Sequence, residues 1–456
     1  MSGIPCILTI AGSDSGGGAG IQADLKTIAM LRGFGASVIT ALTAQNTRAV
    51  TGIHAPSSKF VAQQLRTVLD DIRVDAAKTG MLFSEPIMKA IAPLLCKRAF
   101  PLVVDPVCVA TSGVRLLKED AIEAMQRLIF PLADLLTPNI PEAELFTRVR
   151  IHDREDVFKA ARLLLDMGPK AVLIKGGHAD SFAVTDWYVP RDGEPVPFMQ
   201  QRVDTDCTHG TGCTLSAAIA TGLGQGMEMG AAIRRAQEYL NLGLRAAYRQ
   251  GQGGGSPNHL APWIRETART PLLRDLGRFG HRLATLAGLA GLLPRGRSNV
   301  AAALPYADGM DEVAAFSGGI IATRRGEVAV IGYPEFGSSL YTARTLLSAR
   351  RLRPDLGCAL TLGLVPGLKR AMEKEGMETV WIDRDRRPEY VREDNGGLEE
   401  WGVFEELRNH PSPQAVQAVG DPGGGGCEPV IRILAEDMDS LEKCLDRLLV
   451  RWHKMR

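Results

Sequence analysis

The chain has 456 residues, 45% of them apolar, which is enough for two or three domains with sizeable cores. Lys plus Arg number 53 and Asp plus Glu 52, a net charge of +1, and aromatic residues make up 5%. That balance leaves no electrostatic footprint for nucleic acid or an anionic membrane, and too few rings for base stacking.

The N-terminal residues MSGIPCILTI carry no basic n-region and no long apolar run, so no signal peptide is expected. The apolar stretch 283–293 is too short to span a bilayer. Eight cysteines, at positions 6, 96, 108, 207, 213, 358, 427 and 444, show no C-x-x-C spacing. Neither a zinc site nor a disulfide framework is expected, and a reducing, cytoplasmic setting follows.

Short apolar runs at 6–10, 37–42, 101–104, 135–137 and 171–174 read as strands. Helical patterns such as 121–128 and 156–165 lie between them. Strand, turn and helix in repetition predict an α/β fold, a mostly parallel sheet flanked by helices. Ligands bind at the carboxyl ends of the strands in such sheets, and polar motifs fall there.

The first strand runs into AGSDSGGGAG (11–20), a glycine-rich turn, with Asp24 following. No acidic residue stands at the distance that a dinucleotide fingerprint requires. The third strand ends in Asp105-Pro106-Val107 and the fourth in TPNIPEAE (137–144), which contains Asn139 and Glu142. Carboxylates at strand ends suit Mg²⁺, which takes few carboxylates plus water and phosphate oxygens. Helix capping by Asn139 and Glu142 is the alternative. Lys175-Gly176-Gly177-His178 ends the fifth strand; Lys175 reads as a nucleotide-phosphate ligand or as a solvated charge.

The strongest local signal is His209-Gly210-Thr211-Gly212-Cys213-Thr214 before the small-residue run LSAAIA. Glycines let backbone N–H groups converge on a ligand, and the following helix adds its N-terminus: an anion hole for a phosphoryl group. This is not a G-x-x-x-x-G-K-[ST] loop. Cys213 falls in the first helical turn, where the dipole is expected to lower a thiol pKa and prepare a general base. Taken alone, the motif is equally compatible with a buried, inert cysteine.

The Gly/Pro-rich segment GQGGGSPNHLAP (251–262) breaks the pattern. It sets expected boundaries of 1–264 for the first domain, 265–280 for a connector and 281–456 for a second, smaller α/β domain.

In order along the chain, AGSDSGGGAGIQADLKT (11–27), TALTAQNT (40–47), AAKTGML (76–82), VDPVCVATSG (104–113), LTPNIPEAELF (136–146), IKGGH (174–178) and THGTGCTLSAAIA (208–220) resemble one family. This is the bacterial hydroxymethylpyrimidine and phosphomethylpyrimidine kinases of thiamine synthesis, ribokinase-like in fold. The resemblance implies ATP and Mg²⁺, and two successive phosphorylations of the pyrimidine. It implies that Gln45 and Asp24 hydrogen-bond the aminopyrimidine, with Gly12, Met81 and Val107 lining its pocket. Cys213 corresponds to the base, and Gly210, Thr211 and Gly212 to the anion hole. Asp105 and Glu142 fall in the magnesium region, Asn139 and Lys175 on the nucleotide side. A homo-oligomer is expected. Pyridoxal kinases share the fold and are the rival, although ADSFAVTDW (179–187) and the unbroken GTGC fit the pyrimidine branch better.

Residues 281–456 carry RGRSNV (295–300), DEVAAF (311–316), FGSS (336–339), Asp383-Arg384 and DPGGGGCEP (421–429). Their order resembles a thiamine-phosphate synthase domain, which joins the pyrimidine diphosphate to a thiazole phosphate. The family pattern F-G-x-S-x-H meets Tyr341 here, its A-M-N-I-R-like stretch reads ALTLG (359–363), and Cys427 stands for the Lys before Glu-Pro. Missing cations weaken the case for handling a pyrophosphate leaving group. A condensing domain, a ligand-binding domain without catalysis and a structural domain are the three expectations.

Overall fold

The computed structural model describes residues 3–108, 119–177, 183–392, 396–424 and 426–455. Residues 109–113 of the VDPVCVATSG stretch, His178, residues 179–182 and Gly425 therefore lie outside the described residues. The chain divides into two units, Met1–Trp263 and Ile264–Arg456.

The first unit runs β1 (Cys6–Asp14), α1 (Gly20–Met30), β2 (Phe34–Gln45), β3 (Val50–His54), α2 (Ser58–Asp71), β4 (Ala76–Thr79), α3 (Glu85–Leu95), β5 (Leu102–Val104), α4 (Glu119–Leu128), β6 (Leu135–Leu136), α5 (Ile140–Thr147), α6 (Arg154–Asp166), β7 (Ala171–Ile174), β8 (Ala183–Pro190), β9 (Val196–Gln201), α7 (Thr211–Gly224) and α8 (Met229–Arg245). Its nine strands form one sheet in the order β3-β2-β1-β4-β5-β6-β7-β8-β9. From β2 to β7 every pairing is parallel; β3, β8 and β9 are added antiparallel. The order reverses at β1, which has β2 on one side and β4 on the other, so a crevice opens beyond their carboxyl ends.

The five strands read from sequence correspond to β1, β2, β5, β6 and β7. Short β4 (Ala-Ala-Lys-Thr) escaped notice because alanine and lysine are weak strand formers, yet all four residues are buried. Strands β3, β8 and β9 are half exposed and lack a continuous apolar run. Alternation along the central strands feeds two cores. Leu8, Ala77, Val104 and Leu136 pack under α2, α3, α4 and α6. Ile7, Ala76, Val103, Leu135 and Leu173 pack under α1, α7 and α8.

The second unit begins in helix α9 (Ala261–Thr285), followed by β10 (Val300–Ala303), β11 (Val313–Phe316), β12 (Gly319–Ala322), β13 (Val328–Ile331), β14 (Pro334–Phe336), α10 (Tyr341–Arg350), β15 (Cys358–Gly363), α11 (Leu368–Lys374), β16 (Glu378–Trp381), α12 (Gly397–Asn409), β17 (Val416–Asp421), β18 (Val430–Ala435) and α13 (Met438–His453). Seven strands pair as β14-β11-β10-β15-β18-β17-β16, antiparallel except for β16 with β17, and β12-β13 form a separate hairpin. The stretch 265–280, expected to be a connector, is helical throughout. Leu276 and Phe279 are buried with α11 and α13 in one core of this unit, so the segment is structural. Its Arg and Gly content hid that apolar face. No described helix is long and apolar enough to cross a membrane.

Candidate active site

Helix α7 is built from small residues and is buried on most of its surface. Small side chains allow close approach: a Cβ on Gly224 would sit 2.3 Å from Ile7 Cδ1. Gly210 caps its start with φ 83°, and a Cβ there would lie 1.9 Å from the Gly18 carbonyl. Only glycine fits that left-handed position, so the loop 208–213 presses against the turn 16–20. The Gly212 and Cys213 amides belong to the first helical turn, whose N–H groups have no acceptor within the helix.

Asp14 stitches the two loops together. Its carboxylate accepts from the amides of Gly16, Gly18 and Ala19 at 2.8, 3.1 and 2.9 Å and contacts His209 Nε2 at 2.9 Å. Burial works against the charged form, but His209 and the amides hold Asp14 below the usual carboxylate range. His209 Nε2 also lies 3.4 Å from Gln45 Nε2, at the end of β2. Asp14 and His209 received no role from sequence because both sit inside glycine-rich strings that read as backbone devices.

These loops wall a cavity of about 180 Å³ beyond the strand ends. Gly12, Met81, Gln45 and Val107 line it, as do Asp105, Asn139, Glu142, Lys175, Gly210, Thr211, Gly212 and Cys213. Asp24 does not: it is fully buried behind the cavity, where it accepts from Thr9 Oγ1 at 2.6 Å and from Lys78 Nζ at 3.0 and 3.1 Å. The expected contact between Asp24 and a pyrimidine is therefore corrected. Helix α1 turns that side chain inward onto the β1–β4 surface, and Lys78 takes it. Lys78 was missed, although a lysine within a strand buried on both faces is the signal that could have found it.

At the strand ends, Lys175 Nζ meets Asp105 Oδ1 at 3.0 Å, and Thr137 Oγ1 lies 3.4 Å from the same oxygen. Lys175 is thus partnered rather than a solvated charge. Asn139 and Glu142 form a capping box on α5: Asn139 Oδ1 accepts from the Glu142 amide at 2.8 Å, and Glu142 Oε2 from the Asn139 amide at 2.9 Å. The capping alternative is realised, while both residues also face the cavity. Burial, opposed by Lys175 and helped by Asp105, raises the Glu142 carboxyl to about 7. Burial makes the Glu142 charge costly beside Asp105, and a divalent cation relieves such a site.

Cys213 departs from its expected electrostatics. Burial pushes the thiol up to about 11, against the pull of Lys78 and a hydrogen bond from the Gly20 amide. Desolvation outweighs the helix dipole, so the resting side chain is a thiol at neutral pH.

In the second unit, the segments that depart from the synthase pattern adjoin one another: Thr342, next to Tyr341, lies 2.8 Å from Thr361 within the 359–363 stretch, and the Leu364 amide donates to the Pro429 carbonyl, two residues beyond Cys427. Tyr341 is half exposed at the start of α10, residues 359–363 lie in buried central strand β15, and Cys427 is exposed. Arg384 is bidentate to Asp421 at 2.8 and 2.9 Å, and Arg432 is buried against Glu399 at 2.8 Å. A cavity of about 500 Å³ is lined by Arg344, Arg351, Arg392, Tyr390, Trp401 and Phe404, among others.

Residues 14–258, more than half of the chain, match the family model for phosphomethylpyrimidine kinase. Residues 275–446 match the model for thiamine-phosphate synthase ThiN. The chain is 50% identical over 256 residues to the Geobacter sulfurreducens thiamine biosynthesis bifunctional protein ThiED, covering 56% of this chain and 52% of that one. It is 43% identical over 265 residues to the Haemophilus influenzae hydroxymethylpyrimidine/phosphomethylpyrimidine kinase, covering 57% and 98%. The matched region thus spans about half the length of the first relative and nearly all of the second. Among solved structures, Bacillus subtilis pyridoxal kinase in complex with ADP aligns at a TM-score of 0.54 with 31% identity, covering 57% of this chain and all of that one. Staphylococcus aureus pyridoxal kinase with AMP-PCP and pyridoxal aligns at 0.52 and 31%, covering 57% and 95%. On the match over residues 14–258, the chain belongs to the phosphomethylpyrimidine kinase family.

Proposed function

We propose that the first unit transfers the γ-phosphoryl group of ATP to hydroxymethylpyrimidine, and then a second phosphoryl to the resulting monophosphate, in the cytoplasm. The observation that carries this reading is one cavity combining a glycine-capped helix N-terminus, an Asp105/Glu142 carboxylate pair, Lys175 and the Gln45 amide. In the first transfer, the acceptor's hydroxymethyl oxygen bonds to the γ-phosphorus. The bond from that phosphorus to the β–γ bridging oxygen breaks, ADP leaves and the hydroxyl proton passes to Cys213 Sγ in its ionised form. The Gly212 and Cys213 amides receive the charge that develops on the phosphoryl oxygens. Lys175 meets the nucleotide phosphates, and Asn139 borders them. Gln45 offers both a donor and an acceptor to an aminopyrimidine edge, while Gly12, Met81 and Val107 enclose the ring. Asp105 and Glu142 would hold Mg²⁺, which neutralises phosphate charge when bound.

The test is turnover of hydroxymethylpyrimidine against pyridoxal with ATP and Mg²⁺. A kcat/KM for the pyrimidine at least tenfold above that for pyridoxal is expected, and a preference for pyridoxal overturns the reading. Gln45→Leu should raise KM for the pyrimidine about tenfold or more, from loss of a directed hydrogen-bond pair, and leave KM for ATP unchanged.

For the second unit we propose binding of a phosphorylated thiamine-type compound without condensation. Its cavity sets Tyr390, Trp401 and Phe404 beside Arg392 and beside Arg344 and Arg351, which share Glu400 at 2.7 Å each, a grouping of rings and guanidinium groups that suits an aromatic phosphate. Arg384 and Arg432 are already engaged by carboxylates, and Tyr341 and Cys427 replace the expected His and Lys. Incubating the full chain with the pyrimidine diphosphate and thiazole phosphate should yield no thiamine phosphate, together with saturable binding of added thiamine phosphate. Appearance of the condensed product would establish a bifunctional kinase–synthase instead.

A further inference from the structure

The buried pair Lys78–Asp24 has no part in the chemistry described so far. Lys78 is 0% exposed, on β4 one residue before the strand ends, and Asp24 and Thr9 beside it are also 0% exposed. Thr9 and Lys78 are register partners on β1 and β4, on the sheet face covered by α1 and α7. Nothing about a mixed α/β core requires an ammonium group there, and an apolar residue would be less costly.

Position suggests what it is for. Gly80 lines the cavity, and a Cβ on Gly80 would lie 3.2 Å from Lys78 Nζ, so the ammonium sits directly behind the cavity wall. Cys213 lines the same cavity at the first turn of α7. Among the described residues the Lys78 ammonium hydrogen-bonds only Asp24, to both carboxylate oxygens. Asp24, on α1 and outside the cavity lining, thus holds the cation in place. Burial disfavours the ammonium, but Asp24 first, then Cys213 and Asp105, keep it protonated above its ordinary range.

We propose that Lys78 is a positioning residue for phosphoryl transfer: its fixed positive charge stabilises the Cys213 thiolate, and Asp24 anchors it for that task. This rests on the reading of Cys213 as the proton acceptor, but the state of the thiol is measurable without turnover. The other charged groups facing Cys213 are Asp24 from α1, Asp105 from the end of β5 and Lys175 from the end of β7. The carboxylates oppose ionisation and Lys175 favours it. The Gly20 amide, at the N-terminus of α1, donates to the sulfur. Lys78 is therefore the cation inside the hydrophobic layer, whereas Lys175 belongs to the phosphate side of the cavity and is engaged by Asp105.

The experiment is peptide-resolved alkylation of the full chain by iodoacetamide at pH 7–9, without nucleotide or magnesium. Exposed Cys96 and Cys427 serve as internal controls. Lys78→Met should slow alkylation of Cys213 about tenfold or more at each pH, one unit in thiol pKa, and leave the controls unchanged. That variant strands a buried carboxylate, so a Lys78→Met/Asp24→Asn double variant, which removes both charges, is measured alongside it. The double variant should melt near the wild-type temperature and still alkylate Cys213 at least threefold more slowly. Wild-type alkylation in the double variant would overturn the proposal, because the pair would then be structural only. Loss of kinase turnover with unchanged alkylation would likewise count against it. An inactive wild-type kinase with the expected alkylation pattern would count against the kinase reading alone.

Discussion

A thiol raised to about 11 is mostly protonated at neutral pH, but it is a strong proton acceptor once ionised. If Cys213 takes the hydroxyl proton, the first phosphorylation should accelerate about tenfold per pH unit between 7 and 9, because the thiolate fraction grows tenfold per unit below the pKa. The second acceptor is different. A phosphate monoester is already largely dianionic near pH 7, with a second pKa of about 6, and has no proton to surrender. Cys213→Ala should therefore cut kcat for hydroxymethylpyrimidine by about 10²–10⁴ while changing kcat for the monophosphate only a few-fold. Separate steady-state assays with each acceptor over that pH range measure both effects. Equal losses for the two acceptors would mean that Cys213 shapes the anion hole rather than accepting a proton. Asp24 shows the same dependence on surroundings. Its residue type and position in the chain suit a ring contact, yet the direction in which α1 points it makes it a partner of Lys78.

At the scale of elements, α7 and its glycine cap determine the geometry of the site. Gly210 occupies a left-handed conformation against the Gly18 carbonyl, and Gly212 sits in the first helical turn, where a Cβ would lie 3.3 Å from Lys175 Nζ. Gly210→Ala should thus strain the backbone by about 1–3 kcal/mol and push the two loops apart. Thermal melting should report that loss of stability. Kinetics should show a fall in kcat for both phosphorylations, since both use the same anion hole. A variant with wild-type kcat for either acceptor would separate the hole from that step. The glycine motif itself was legible in the sequence because backbone conformation is a local property. Its docking partner, the 16–20 turn fastened by Asp14 and His209, was not, since the two are 195 residues apart.

At the scale of the whole molecule, α9 decides where the second unit starts. A fragment of residues 264–456 keeps Leu276 and Phe279 in its core, whereas one beginning at residue 281 loses both. Burying two such side chains contributes about 3–6 kcal/mol, comparable to the net stability of many domains. The longer fragment should unfold cooperatively in urea, and the shorter one should show no cooperative transition. A cooperative transition in both would mean that α9 is dispensable after all. The alternation of short apolar runs with helical stretches determined the central parallel sheet, and the ordered motifs at its strand ends marked most of the residues that line the cavity, Asp24 excepted. Both are local: period, turn chemistry and glycine freedom act over a few residues. Only the tertiary structure decided that Asp24 faces Lys78 instead of a ligand, that the cysteine's pKa rises rather than falls, and that the supposed connector is a helix whose Leu276 and Phe279 are buried in the second unit's core. Those outcomes depend on burial and on neighbours distant in the chain, and desolvation in a packed core can outweigh every local preference that a sequence displays.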